Sequence, residues 1–228
     1  MSKSLNEWRF AAALATGGTS SKAVYDMTMG WLTRLNCGGD LLEFGAGTGN
    51  LLRSLKALGR FSSITGVDIL KRPNDLSSSI KWVEADLNYP VALPDKSFDT
   101  IISTEVIEHL ENPRAMAREF SRLLRAGGRI LITTPNQESW RSLLSLVIRG
   151  HFVWFLDSNY PAHITALVQK DLERILKEAG FLAIEFGFSN RGGIPGRPRT
   201  TWQSVSWNLL MGRRFSDNIL VIAVKQGN

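Results

Sequence analysis

Glu105, Glu108 and His109 form the string E-x-x-E-H within Phe98–Leu110. Positions three and four apart are neighbours on a helical turn, so the three side chains are expected on one face. Two carboxylates and an imidazole there supply most of a divalent-metal site, and His163, in Pro161-Ala162-His163-Ile164-Thr165, is available as a fourth ligand. Oxygen-rich ligation suits Mg²⁺, while two histidines also admit Mn²⁺ or another transition metal. A cation held there lowers the pKa of an alcohol or phenol and fixes its orientation. Without a metal, His109 or His163 can serve as a general base. The bland alternative is that Glu108 and His109 brace a loop.

These residues need a scaffold, and the clearest part of it is Asp40-Leu41-Leu42-Glu43-Phe44-Gly45-Ala46-Gly47-Thr48-Gly49-Asn50. It reads as a buried strand, a glycine turn and a helix opening near Asn50. Glycine at 45, 47 and 49 permits positive φ and leaves no Cβ against a closely approaching ligand. The free N–H groups of the helix point at whatever the turn holds. The dinucleotide fingerprint G-x-G-x-x-G wants a third glycine where this chain has Asn50. Asp68 ends a second strand about 20 residues further on, where a carboxylate accepts ribose hydroxyls of either NAD or another nucleoside.

The string E-F-G-A-G-T-G, with Glu43 closing the strand, resembles motif I of class I S-adenosylmethionine (SAM) dependent methyltransferases. The resemblance covers residues 40 to 135 closely and the terminal strands loosely. It implies that the turn of Gly45, Ala46, Gly47 and Gly49 passes beneath the methionine part of SAM. It further implies that Asp86, in Glu84-Ala85-Asp86-Leu87, receives the adenine amino group while the Leu87 N–H meets a ring nitrogen. Glu43, Asp68, Ile69 and Thr104 complete the cofactor set. E-x-x-E-H with a distant histidine, and Thr133-Thr134-Pro135-Asn136, are similar to two groups. These are the O-methyltransferases of ubiquinone biosynthesis and the enzymes that methylate the terminal 2′-hydroxyl of small RNAs.

Strand-like and helix-like segments alternate from residue 40 to 135, which argues for an α/β sheet. Strands are expected at Asp40–Phe44, Ser63–Asp68, Ile80–Glu84, Phe98–Ser103 and Gly128–Thr133. Helices are expected at Asn50–Leu58, Asn112–Leu124 and Gln169–Ala179, the second opening on a capping Asn before Pro113 and closing on Ala126-Gly127-Gly128. Ser20–Leu35 reads as a further helix. Phe181–Phe186 and Asn218–Val224 are expected as a terminal strand pair. The resemblance then implies a Rossmann-like sheet of about seven strands, the last antiparallel, with helices on both faces. One methyltransferase domain over 1–228 is expected, with an N-terminal helical cover over 1–38, an apolar lid over 140–165 and a basic insertion over 187–216.

The 228 residues are 43% hydrophobic and 21% charged, which suits a globular chain with a full core. The lone cysteine, Cys37, excludes an internal disulfide and a cysteine-based zinc site, and fits a reducing cytoplasm. Lys3, Glu7 and Arg9 precede an apolar run, Phe10 to Leu14, too short for a signal sequence. No stretch reaches transmembrane length. The net charge of +6 is concentrated between Glu185 and Asp217, where five arginines and no acid occur. Such a block meets phosphate, an anionic lipid surface or nucleic acid, or is a solvated loop.

Trp140 to Tyr160 is strongly apolar and reads as a core helix, a lid over an apolar substrate or an interfacial element. It favours a small-molecule, sugar or lipid-like acceptor and contact with the inner face of a membrane. The arginines with Trp202 and Trp207 favour RNA instead, the alternative reading. A non-catalytic SAM- or nucleotide-binding protein is the second alternative. The sequence leaves oligomeric state and acceptor identity open.

Overall fold

The computed structural model describes residues 5–15 and 17–227. Lys3 and the rest of the first four residues of the expected N-terminal cover, with residues 16 and 228, lie outside the described set. Seven strands form one sheet in the order β3-β2-β1-β4-β5-β9-β6. They are β1 (Gly39–Phe44), β2 (Phe61–Asp68), β3 (Lys81–Glu84), β4 (Phe98–Thr104), β5 (Leu124–Pro135), β6 (Phe181–Phe188) and β9 (Asn218–Lys225). β9 runs antiparallel to both β5 and β6, and the pairs among β1 to β5 are parallel. The expected sheet, its antiparallel strand and its flanking helices are therefore all present.

Near-continuous apolar strands are what a sheet buried on both faces requires. Leu42, Phe44, Ile101, Ile130, Ile132 and Val221 pack on one side with α4 (Pro113–Leu123) and α6 (Gln169–Glu178). Leu41, Ile102, Leu131, Leu220 and Ile222 pack on the other with α2 (Lys22–Arg34) and α3 (Asn50–Ala57). The alternation follows from the two-residue period of a strand. Ser21 caps α2 by accepting the Val24 N–H, and Asn112 caps α4 by accepting the Ala115 N–H.

One expected helix end is corrected. α4 stops at Leu123, and Leu124 is already extended and begins β5. Carbonyls of the last turn, at Arg122 and Leu123, accept the N–H groups of Lys96 and Ser97, so no left-handed glycine cap is needed. Gly127, with φ +76°, lies instead in β5, whose register against β4 slips between Phe98 and Thr100. The 187–216 segment is built, with a hairpin of β7 (Gly193–Ile194) and β8 (Arg197–Thr201), then α7 (Trp202–Val205). α1 (Leu5–Ala15) and α5 (Trp140–Arg149) complete the helices.

Phe120 is fully buried and meets Phe44 edge to face at 4.9 Å. Phe120→Ala should lose about 3–5 kcal/mol of unfolding free energy. Val147→Ala, on the outside of α5, should change it by less than about 0.5 kcal/mol. Urea denaturation followed by circular dichroism checks both, and similar losses in the two variants would contradict this core.

Candidate active site

A cleft of about 1720 Å³ opens at the carboxyl ends of β1, β2 and β4. β1 and β4 are adjacent although β2 and β3 separate them in the chain, and ligands of open sheets bind at such a switch point. Every cofactor and metal candidate from the sequence lines this cleft except Gly49. Gly49, with φ +74°, is the N-cap of α3.

Two glycines of the turn are explained by the protein itself. A Cβ on Gly45 would strike the Val106 side chain, and one on Gly47 would strike the carbonyl of Gly18. Thr48 N–H donates to that same carbonyl at 2.9 Å, so the loop ahead of α2 is laid directly on the turn. Gly45 and Gly47 nevertheless both line the cleft, so the turn serves the fold's own packing and the expected ligand face together.

The wall beside the turn is acidic. Glu43 is buried with Oε2 lacking a hydrogen-bond partner. Burial, then the charge of Asp68, pushes its carboxyl well above the usual range. Burial also raises Asp68, against N–H groups that include those of Leu70 and Gly47. Two desolvated carboxylates favour a cationic ligand and disfavour a pyrophosphate. The ammonium and sulfonium of SAM therefore fit this wall. Across the cleft, Asp86 accepts from Arg9 of α1 at 2.6 Å and from Asn88. Burial would raise Asp86, but Asn88 and Arg9 outweigh it and hold the carboxyl low.

The E-x-x-E-H string does not lie on one helical face. Glu105 follows β4 in the left-handed region, with φ +55°, and only Ile107–His109 form a 3₁₀ turn. Ligand atoms of Glu108, His109 and His163 lie within 4.8 Å of one another, and Glu105 is not in that group. Its N–H is held by Thr133, and its Oε2 accepts from Asn218 Nδ2 at 2.9 Å. Glu108 Oε2 accepts from Thr134 Oγ1 at 3.1 Å. Oε1 of each glutamate is buried without a partner.

Main-chain bonds bring His163 to this turn. The N–H groups of Ile164 and Thr165 both donate to the Glu108 carbonyl at 3.0 Å, and Thr165 Oγ1 donates to the Leu110 carbonyl. His109 Nδ1 donates to the Ala162 carbonyl at 2.7 Å, and His163 Nδ1 donates to the Trp154 carbonyl at 2.6 Å. A carbonyl only accepts, so each neutral ring carries its proton on Nδ1 and keeps a lone pair on Nε2. Burial lowers the pKa of both rings, and His109 lowers His163 further. His109 Nε2 stands 4.0 Å from Glu108 Oε1, too far for a hydrogen bond.

Burial lifts Glu108 to about 8 and lifts Glu105 well above its ordinary range, Glu105 also feeling the charge of Glu108. Neutral imidazoles held through Nδ1 and desolvated carboxylates form a donor set that suits a divalent cation. The 4.8 Å spread exceeds two metal–ligand bonds of about 2.1 Å, so an ion would draw the three atoms together.

Asn218, Thr134 and Arg9 escaped sequence reasoning as site residues. Thr134 lies in the recognised Thr133-Thr134-Pro135-Asn136 string, whereas Asn218 reaches Glu105 only because β9 pairs with Pro135. Nothing local marks Arg9.

A family profile described as a methyltransferase domain matches residues 23–185. The mitochondrial ubiquinone biosynthesis O-methyltransferase of Dictyostelium discoideum is 27% identical over 152 residues, covering 59% of this chain and 47% of that protein. The ubiquinone biosynthesis O-methyltransferase of Chromobacterium violaceum is 26% identical over 193 residues, covering 79% of this chain and 80% of its own. The chain thus spans about half the length of the first relative and four fifths of the second. Among solved structures, a SAM-dependent methyltransferase of Thermotoga maritima, titled a possible histamine N-methyltransferase, superposes with a TM-score of 0.63. It is 17% identical, covering 96% of this chain and 94% of that one, and so bears on the fold. The profile takes in well over half of the sequence, including the turn, the acidic wall and the E-x-x-E-H string, and the chain belongs to the class I SAM-dependent methyltransferase family.

Proposed function

We propose that this methyltransferase transfers the methyl group of SAM to a hydroxyl oxygen of a small or lipid-like acceptor, with a divalent cation, Mg²⁺ or Mn²⁺, at Glu108, His109 and His163. One observation carries the reading: both histidines spend Nδ1 on main-chain carbonyls, His109 Nε2 stands 4.0 Å from the unpartnered Glu108 Oε1, and ligand atoms of Glu108, His109 and His163 lie within 4.8 Å of one another. The distant relatives named for O-methyl transfer support the choice of oxygen.

When bound, SAM supplies an electrophilic methyl, and the cation lowers the pKa of the acceptor hydroxyl. The chain's own part is placement. Thr134 and Asn218 fix the two carboxylates, and the Ile164 and Thr165 N–H groups hold the His163 loop against the turn. Alignment of the hydroxyl with the methyl provides much of the rate, because a sulfonium methyl needs little activation. Tyr25, Trp31, Phe186 and Phe188 line the cleft and suit an apolar acceptor.

A transfer assay with labelled SAM over lipid, RNA and small-molecule fractions identifies the acceptor class. Chelation should abolish transfer and added Mg²⁺ or Mn²⁺ should restore it, while His163→Ala should lower kcat/KM at least about 100-fold. Full activity in chelator would overturn the metal and leave His163 as a general base.

Glu108 carries a second prediction. Its folded pKa of about 8 lies above the ordinary 4.5, so the folded state holds a proton that the unfolded chain releases. Stability of the metal-free protein should therefore fall as pH rises from 4.5 towards 8, by up to about 1.4 kcal/mol per pH unit. Glu108→Gln removes this penalty. In chelator its Tm should exceed that of the parent at pH 8 and converge with it near pH 5, and a Tm gap independent of pH would refute the assignment.

A further inference from the structure

α5 is amphipathic in the reverse of the usual sense. Its buried side carries the small hydroxyl residues Ser142 and Ser145. Its exposed side carries Trp140, Leu144, Val147 and Ile148, spaced i, i+4, i+7 and i+8 on one stripe. Val147 is 82% exposed and Ile148 69%. The helix is well terminated, with Ser139 accepting the Ser142 N–H at one end and left-handed Gly150 at the other. Fraying does not explain the stripe.

A second apolar group stands beside it. Val205, Trp207, Leu209 and Met211 are all exposed, Trp207 at 89% and Leu209 at 81%. The turn that carries them is held from inside by buried Gln203, which donates to the Leu210 and Phe215 carbonyls and accepts the Gly192 N–H. Arg214 joins this turn to α5: it donates to the Glu138 carbonyl at 2.8 Å and lies over the Trp140 ring at 5.3 Å. The two exposed groups are thus fastened to each other through Gln203, Arg214 and Trp140. Arg149, at the end of α5, and Arg197 and Arg199, in β8 just before α7, are exposed, and no ion pair to a carboxylate is formed by any of them among the described residues.

We propose that this surface docks on an anionic phospholipid leaflet, with the α5 stripe and the 205–211 turn entering the headgroup region and the arginines meeting lipid phosphates. Aliphatic tips flanked by arginine are what an interfacial element presents. A second copy of the chain would set arginine against arginine, since residues 186–216 contain no acid. Nucleic acid would leave Val147, Ile148, Leu209 and Met211 without a base to stack on. None of the described helices is long and apolar enough to cross a membrane, so the contact is with one leaflet. Docking also sets the cleft near the lipid, because residues 150–163 run from α5 to His163, and Trp154 and Tyr160 line the cleft. The inference does not depend on which atom is methylated.

Flotation of the full chain with vesicles tests it without turnover. Binding is expected to equal parts phosphatidylglycerol and phosphatidylcholine, not to phosphatidylcholine alone, and should weaken in roughly 0.5 M salt. Val147→Gln with Ile148→Gln, and separately Trp207→Ala with Leu209→Ala, should each weaken binding at least about tenfold. SAM affinity and Tm should stay at parent values, which separates lost docking from misfolding. Failure to float with the mixed vesicles, or equal flotation with phosphatidylcholine, overturns the proposal. So does a dimer in sedimentation velocity, or an RNA gel shift, that these substitutions abolish while vesicle binding is absent.

Discussion

Two carboxylates, Glu105 and Glu108, are buried at the end of β4 with one oxygen each unanswered. Among the described residues the nearest ring nitrogen is 4.0 Å from Glu108, on a histidine that burial keeps neutral. Leaving such groups unpaired costs several kcal/mol in a low-dielectric site. The surrounding structure offsets part of that cost: Asn218 and Thr134 each satisfy one oxygen, and Glu105 stands outside the cluster of Glu108, His109 and His163. The core on both faces of the sheet holds these partners still. A single misplaced strand would separate Asn218, at the start of β9, from Glu105 across 113 positions of sequence.

The same economy governs the other half of the cleft. Glu43 and Asp68 are brought together by the pairing of β1 with β2, where Glu43 stands opposite Gly66. Neither meets a lysine or arginine among the described residues, while Asp86, across the cleft, has Arg9. The cleft is thus acidic beside the glycine turn and neutralised at Asp86.

What could be read from the chain was local. The glycine turn, the strand sequence and the cap at Asn112 announce themselves because turn chemistry and period-two burial are short-range. The spacing of E-x-x-E-H predicts one helical face, and the backbone does not follow it. A helical spacing rule cannot foresee that Glu105 takes φ +55° to anchor its N–H on Thr133. The α4 terminus failed for a similar reason: distant N–H groups at Lys96 and Ser97 did the work assigned to glycine. α5 is the plainest case. Its apolar residues fix a stripe, yet sequence cannot say whether the stripe faces inward, and here the serines do.

The bond between Thr48 and Gly18 changes how variants in the glycine turn are to be interpreted. Because the carbonyl of Gly18 fills the space a side chain at Gly47 would need, any larger residue there first dislodges the 17–20 loop and the start of α2. A variant at this position that no longer takes up cofactor therefore reports a loosened N-terminal latch as readily as a spoiled ligand contact. The signature sequence and the fold's own fastening are one and the same piece of backbone.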